Sequence, residues 1–102
     1  MWRSQVAYPD KSGGPQMANE YKTYIIESTT RNRWYYGHTQ DTEARLRQHN
    51  SGSTKSTKNR GPWVLIFERA FDSRTEANKF ELELKRHKNK EYIKREYAEY
   101  FL

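Results

Sequence analysis

The side chains of this sequence best suited to chemistry are Tyr24, the run Tyr35-Tyr36-Gly37, the pair Arg45 and His49, and Glu81 far downstream. A phenol can act as a base, a guanidinium can steady negative charge as it develops, and a carboxylate is a hard oxygen ligand for a divalent metal. Hydrolysis of a phosphodiester needs all three. Arg45 and His49 lie one helical turn apart, so on a helix they project from the same face. The three histidines have no zinc-ligand spacing, and the absence of cysteine removes thiolate nucleophiles, disulfides and cysteine zinc sites together.

These side chains need elements to hold them. Residues 21–28 are aromatic and β-branched, 29–33 are polar, and 34–39 are aromatic again, which predicts a β-hairpin with Tyr24 on its first strand and Tyr35 on its second. The turn has no Asn-Gly signal to set the register, so Tyr35 is expected either opposite Tyr24 or on the diagonal. Thr39 or Asp41 can cap a helix that runs to about Asn50 and stops at Ser51-Gly52-Ser53. Leu46 is its one sizeable apolar residue, so Arg45, Arg47 and His49 are expected to face solvent or a ligand.

A basic loop follows with Lys55, Lys58 and Arg60. Gly61-Pro62 then introduces the apolar run Trp63-Val64-Leu65-Ile66-Phe67, which reads as a strand buried on both faces. Ser73 with Glu76 forms a capping-box pattern that opens a helix to about His87. Its apolar stripe is Ala77, Phe80 and Leu84, and Glu81 falls within the same arc, so a carboxylate faces the body of the protein. Residues 91–101 are amphipathic, with Ile93, Tyr97, Tyr100 and Phe101 on one side, and are expected to pack back on the sheet. The order β-β-α-β-α-α predicts an α/β sandwich built on a small, mainly antiparallel three-stranded sheet.

The chain has 102 residues, which suits one domain with one active site. That domain is expected over residues 21–102. Residues 1–20 hold two of the three prolines and Gly13-Gly14 among few apolar side chains, and are expected to be a flexible leader with a candidate internal start at Met17. Hydrophobic residues make up 33% of the chain and aromatic residues 15%, so rings must carry much of the core. Lys and Arg number 19 against 13 acids, for a formal charge of +6 and a pI near 9.6. A polyanionic partner follows from that balance. Nothing approaches the ~20 apolar residues of a membrane span, and the start lacks the apolar core of a secretory signal, so the expected compartment is the cytoplasm.

At these residues the chain resembles the GIY-YIG endonuclease superfamily, especially its small stand-alone bacterial members, over roughly residues 21–95. The first motif falls on Lys22-Thr23-Tyr24 and the second on Tyr35-Tyr36-Gly37. The arginine-bearing helix falls on Glu43-Ala44-Arg45-Leu46-Arg47-Gln48-His49, and the metal-binding glutamate on Glu81. The segment Ser56-Thr57-Lys58-Asn59-Arg60-Gly61-Pro62-Trp63 looks like the connecting loop of the small members. Lys22-Thr23 stands in place of the eponymous Gly-Ile, and Tyr36 in place of the second motif's Ile; neither change removes a catalytic group. Asn89 is the nearest counterpart of a late asparagine that several larger relatives carry beside the site.

The resemblance implies a divalent-metal-dependent DNA endonuclease. It implies that the Tyr24 and Tyr35 hydroxyls line the active surface, and that Arg45 stabilises the pentavalent phosphate. By the same resemblance, His49 orients the attacking water or takes a proton from it or from Tyr24, while Glu81 holds one Mg²⁺ or Mn²⁺ completed by water and phosphate oxygens. A phenol with a free pKa near ~10 is a base at neutral pH only if cations depress that value, a task that falls to Arg45 and the metal. One protein ligand holds a hard cation weakly, so the metal is expected to be loose without DNA.

His38 is a candidate phosphate contact, and Lys55, Lys58 and Arg60 are candidate DNA-binding residues. So small a domain has little surface for reading base edges, which implies weak sequence preference, structure selectivity or a recruiting protein, with the chain as a monomer or weak homodimer. Each residue also has an ordinary reading. Strand tyrosines are commonly half-buried sheet aromatics, Arg45 with His49 a solvated helix face, Glu81 a buried ion pair with Arg45 or a lysine, and Trp34 and Trp63 core residues. On those readings the chain is a nucleic-acid-binding module of the same fold with little or no turnover, or a structural accessory that dimerises through its ring-rich C-terminal segment.

Overall fold

The computed structural model describes residues 20–102, so the leader expected before Tyr21 lies, Glu20 apart, outside the described residues. β1 (Tyr21–Ser28) and β2 (Trp34–Thr39) form the expected hairpin. The connection is closed by side chains in place of an Asn-Gly turn: Ser28 Oγ accepts the amides of Thr30 and Arg31, and Asn32 adopts a φ of 55°, which Asn tolerates well. β3 (Trp63–Phe71) joins β1 from the other side, giving a three-stranded antiparallel sheet in the order β2-β1-β3.

That order decides which strand is buried. β1 is central, and its Thr23, Tyr24, Ile25 and Ile26 are all buried, alternately under the two faces. The apolar run at the start of β3 was expected to be covered on both faces, but β3 is an edge strand: Trp63 and Phe67 are buried, while Val64 is 43% exposed. The outer margin of β3 is met by the end of the chain, where Phe101 bridges Phe67 and the Leu102 amide donates to the Ile66 carbonyl.

One face of the sheet packs Ile25 and Phe67 against α2 (Arg74–His87) and α3 (Lys90–Glu96) through Phe80, Leu84 and Ile93. The other packs Tyr24, Ile26 and Trp63 against Leu46 of α1 (Thr42–Ser51), with Tyr35 and Leu65 alongside. α1 begins where Asp41 accepts the Ala44 amide and ends at Gly52, whose φ of 86° is the left-handed cap that glycine supplies most readily. With Leu46 as its one sizeable apolar residue, α1 is anchored instead by polar groups. Thr42 donates to Glu68 at 2.7 Å, and His49, expected to face solvent or a ligand, is 2% exposed and points inward.

Ser73 caps α2 by accepting the Glu76 amide, and the buried arc is Ala77, Phe80, Glu81 and Leu84, as the spacing predicts. Thr23 Oγ1 donates to the Ala77 carbonyl at 2.7 Å and ties this helix to the central strand. The amphipathic stretch 91–101 divides into α3 and a single 3-10 turn, Ala98–Tyr100, while Ile93 is buried and Tyr97, Tyr100 and Phe101 pack half-buried on the same core. Among the described residues no helix is long and apolar enough to cross a membrane.

Candidate active site

The hairpin register sets Tyr24 opposite Gly37 and Tyr35 opposite Ile26, so the two tyrosines are diagonal neighbours on the α1 face. Gly37 leaves the space that Tyr24 fills. A Cβ at Gly37 would stand 2.5 Å from Tyr24 Oη and 2.7 Å from Cζ. The Tyr24 ring therefore lies across β2, and its hydroxyl reaches towards the β2 margin of the sheet.

There the hydroxyl meets α1. Tyr24 Oη is 2.8 Å from His49 Nε2, and the other ring nitrogen, Nδ1, is 2.8 Å from Thr57 Oγ1. The Tyr35 ring lies 4.8 Å from the His49 ring between centroids, so the imidazole is held between the two tyrosines. Burial pushes the Tyr24 pKa up to about 12; the hydrogen bond and charge of Arg45 pull it down, and Tyr35 and Glu81 push it further up. Removing a phenolate from water costs more than Arg45 returns, so Arg45 without the charge of a metal leaves Tyr24 a neutral phenol. Burial first, and then the Arg45 charge, lowers the His49 pKa to about 4, so at neutral pH the imidazole is uncharged and one of its nitrogens can accept a proton.

The carboxylate arrives from the opposite face. His38 pairs with Thr23 and so shares the α2 side of the sheet, where Glu81 is 8% exposed. Glu81 Oε1 is 2.6 Å from His38 Nδ1 and Oε2 is 2.8 Å from Lys85 Nζ, one helical turn on. The two halves of the site lie on opposite faces of the sheet, with the Glu81 charge still acting on the Tyr24 phenol. A carboxylate offers about four lone-pair positions, so these two contacts leave one on each oxygen for a hard cation. Among the described residues no cluster of three or more His, Cys, Asp or Glu could hold a metal, so Glu81 fits a cation completed by water and phosphate oxygens and not one caged by protein.

Beside the cluster lies a cleft of about 390 Å³ whose walls include Tyr21, His38, Arg45, Gln48 and Arg74. Arg45 Nη1 donates to Gln48 Oε1 at 2.6 Å, and Gln48 also lines the cleft. Tyr24, Tyr35, Arg45 and His49 are thus gathered at one place, and Glu81 is near enough to act on the Tyr24 phenol. His38, a candidate phosphate contact from sequence, bonds to Glu81 instead of standing free. Lys55, Lys58 and Arg60 are exposed on the loop after α1, with Thr57 between them turned inward. Asn89 caps α3 by accepting the Tyr92 amide. Trp63 is core, and Trp34 packs on Phe101 with its indole N–H donated to Glu27.

Sequence reasoning missed Thr57, and it offered a lysine partner for Glu81 without identifying Lys85. The i, i+4 spacing of Glu81 and Lys85 was a usable signal for the lysine, whereas nothing local to Thr57 marks it as the partner of a histidine in another element.

Comparison with known proteins gives a consistent set of matches. The family profile of the GIY-YIG catalytic domain matches residues 20–97. The UPF0213 protein SH2523 of Staphylococcus haemolyticus is 38% identical over 79 residues, which are 76% of this chain and 94% of that protein. The UPF0213 protein BH0048 of Halalkalibacterium halodurans is 41% identical over 68 residues, 66% of this chain and 70% of that protein. The solution NMR structure of the UPF0213 protein BH0048 from Bacillus halodurans superposes with a TM-score of 0.46 at 34% identity, covering 78% of this chain and 83% of that one.

Proposed function

The chain belongs to the GIY-YIG family, whose catalytic domain implies a nuclease, and on that premise we propose that it is a divalent-metal-dependent DNA endonuclease in which Tyr24 relays a proton from the attacking water to His49. The observation that carries this reading is the 2.8 Å bond between Tyr24 Oη and His49 Nε2, with Arg45 acting on the same phenol.

The positive charge of Arg45 acts on the Tyr24 oxygen and favours its lone pairs facing the guanidinium, with the phenolic proton pointing at His49. Neutral His49 takes that proton as Tyr24 takes one from water, and the water oxygen forms its bond to phosphorus. The phenol is restored and His49 ends as imidazolium. No free tyrosinate is needed, which matters because burial keeps Tyr24 protonated up to about pH 12. Arg45, at the cleft wall, steadies the charge that develops on the phosphorane; one aligned donor of this kind is worth on the order of 3 kcal/mol. His38 and Lys85 hold the Glu81 carboxylate in place. Glu81 would hold a Mg²⁺ or Mn²⁺ ion, which would supply positive charge for the departing 3′ oxygen.

The exposed Lys55, Lys58 and Arg60 serve the phosphate backbone, which favours salt-sensitive binding with weak sequence preference or selectivity for DNA structure. The rival, a binding module without turnover, draws on one feature: Glu81 already has a cationic neighbour in Lys85. That rival predicts DNA binding indifferent to metal and to Glu81→Ala. Plasmid, single-stranded and branched DNA incubated with Mg²⁺ or Mn²⁺ separate the two. Wild type should cleave at least one of them, with Arg45→Ala and Glu81→Ala slower by about 100-fold or more. Equal trace nicking by all three proteins would overturn the enzyme reading.

A further inference from the structure

We propose that Thr57 is a positioning residue that holds His49 in the tautomer with its proton on Nδ1, and so directs the Tyr24 proton towards His49 and not away from it. Its consequence for rate rests on the nuclease reading; the tautomer itself does not.

The assignment follows from both ends of the hydrogen-bond chain. At one end Thr57 is 1% exposed, and its Oγ1 stands 2.8 Å from His49 Nδ1 and 3.4 Å from the Thr54 carbonyl. A hydroxyl has one proton to give, and a carbonyl can only accept, so the threonine proton goes to Thr54 and its lone pair is left for Nδ1–H. At the other end Tyr24 Oη is 2.8 Å from His49 Nε2, and the nearby Arg45 charge favours the phenol lone pairs facing it, so the phenolic proton takes His49 Nε2 as its acceptor. One tautomer satisfies both ends. The opposite one would aim Nε2–H at the Tyr24 oxygen and would close the route by which Tyr24 gives up its proton.

The Thr57 position is fixed by more than this bond. Its amide donates to the Thr54 carbonyl at 3.2 Å, and its own carbonyl accepts the Trp63 indole N–H at 3.2 Å. Trp63 is in turn clamped by Asn50 of α1, which accepts the Trp63 amide at 2.7 Å and donates to its carbonyl at 3.0 Å. The end of α1, the loop and the start of β3 therefore converge on one hydroxyl. Such a support is what a tautomer-setting partner requires, because a histidine's second nitrogen follows whichever bond its first one makes.

The test uses the full chain labelled with ¹⁵N, with long-range ¹H–¹⁵N spectra of the His49 ring for wild type, Thr57→Val and Thr57→Ser. Wild type and the serine variant should carry the proton on Nδ1, and the valine variant should shift it to Nε2. With DNA and Mn²⁺, kcat should fall about 10- to 100-fold for valine with KM unchanged, and serine should restore it. A proton on Nε2 in wild type overturns the proposal even if the valine variant fails to fold. So does a folded valine variant that keeps Nδ1–H and full kcat. Spectra that change as expected in a chain that cleaves no DNA would uphold the tautomer assignment and overturn the nuclease reading instead.

Discussion

Replacing Gly37 with alanine should damage catalysis while barely disturbing the fold. Gly37 does not use a left-handed backbone, so the cost of the added methyl is steric alone. The new Cβ would lie 2.5 Å from Tyr24 Oη, and to restore an ordinary 3.4 Å contact the phenol must retreat by about 0.9 Å. His49 cannot follow freely, because Thr57 holds its far side at 2.8 Å. The 2.8 Å bond between phenol and imidazole could not keep its geometry through that shift. A displacement of about 1 Å at a reacting group costs on the order of 100-fold in rate. Stability should change much less, since alanine in a strand gains about 0.5–1 kcal/mol over glycine and crowding loses about 1–3 kcal/mol. Single-turnover cleavage at saturating protein and urea unfolding of the same preparations measure the two effects. A Gly37→Ala protein that folds normally and cleaves at the wild-type rate would refute the claim that the Tyr24 phenol, placed by Gly37, moves the proton.

Gly52→Ala should do the reverse: the φ of 86° at the end of α1 makes any side chain there costly by about 1–2 kcal/mol, while the nearest atom to its Cβ, Lys58 Cγ, is an unstrained 3.8 Å away, so the unfolding midpoint should fall with kcat intact. His49 should make the fold acid-sensitive. Its pKa is about 4 in the folded chain against 6.5 unfolded, so as pH falls the unfolded state takes up the proton first; the contribution is complete above pH 6.5, declines towards pH 4 and is then flat, for a total of about 3 kcal/mol. Urea midpoints of wild type and His49→Gln should converge or cross over that window, and parallel profiles would contradict the burial of a neutral imidazole. Lys58→Ala should weaken DNA binding uniformly across sequences and lower the salt slope by about 1, and an unchanged slope would remove this loop from the interface.

Periodicity and capping made much of the fold readable before any coordinates. The hairpin strands, the Asp41 and Ser73 caps and the inward arc of α2 follow from local side-chain pattern, because each depends on residues within a few positions. What failed depended on neighbours distant in the chain. An apolar run such as residues 63–67 looks the same on a central or an edge strand, and the strand order β2-β1-β3 made it an edge. His49 was expected to face solvent or a ligand because α1 lacks an apolar stripe, whereas the helix is held by Thr42 and by His49 itself, turned inward. Site residues could be named by motif order, but their partners could not: the His38–Glu81 and His49–Thr57 bonds arise from strand register and loop packing. The direction of the Tyr24 pKa was likewise hidden, since it turns on burial outweighing a nearby guanidinium.

The most direct test of the account is the cleavage rate of Tyr24→Phe with Mg²⁺ or Mn²⁺ at saturating protein, alongside its affinity for the same DNA. The variant keeps the ring that fills the space over Gly37 and deletes only the oxygen bonded to His49. Cleavage should fall by about 100-fold or more while binding stays at the wild-type level. Cleavage at the wild-type rate would contradict the relay and leave Tyr24 as a core aromatic.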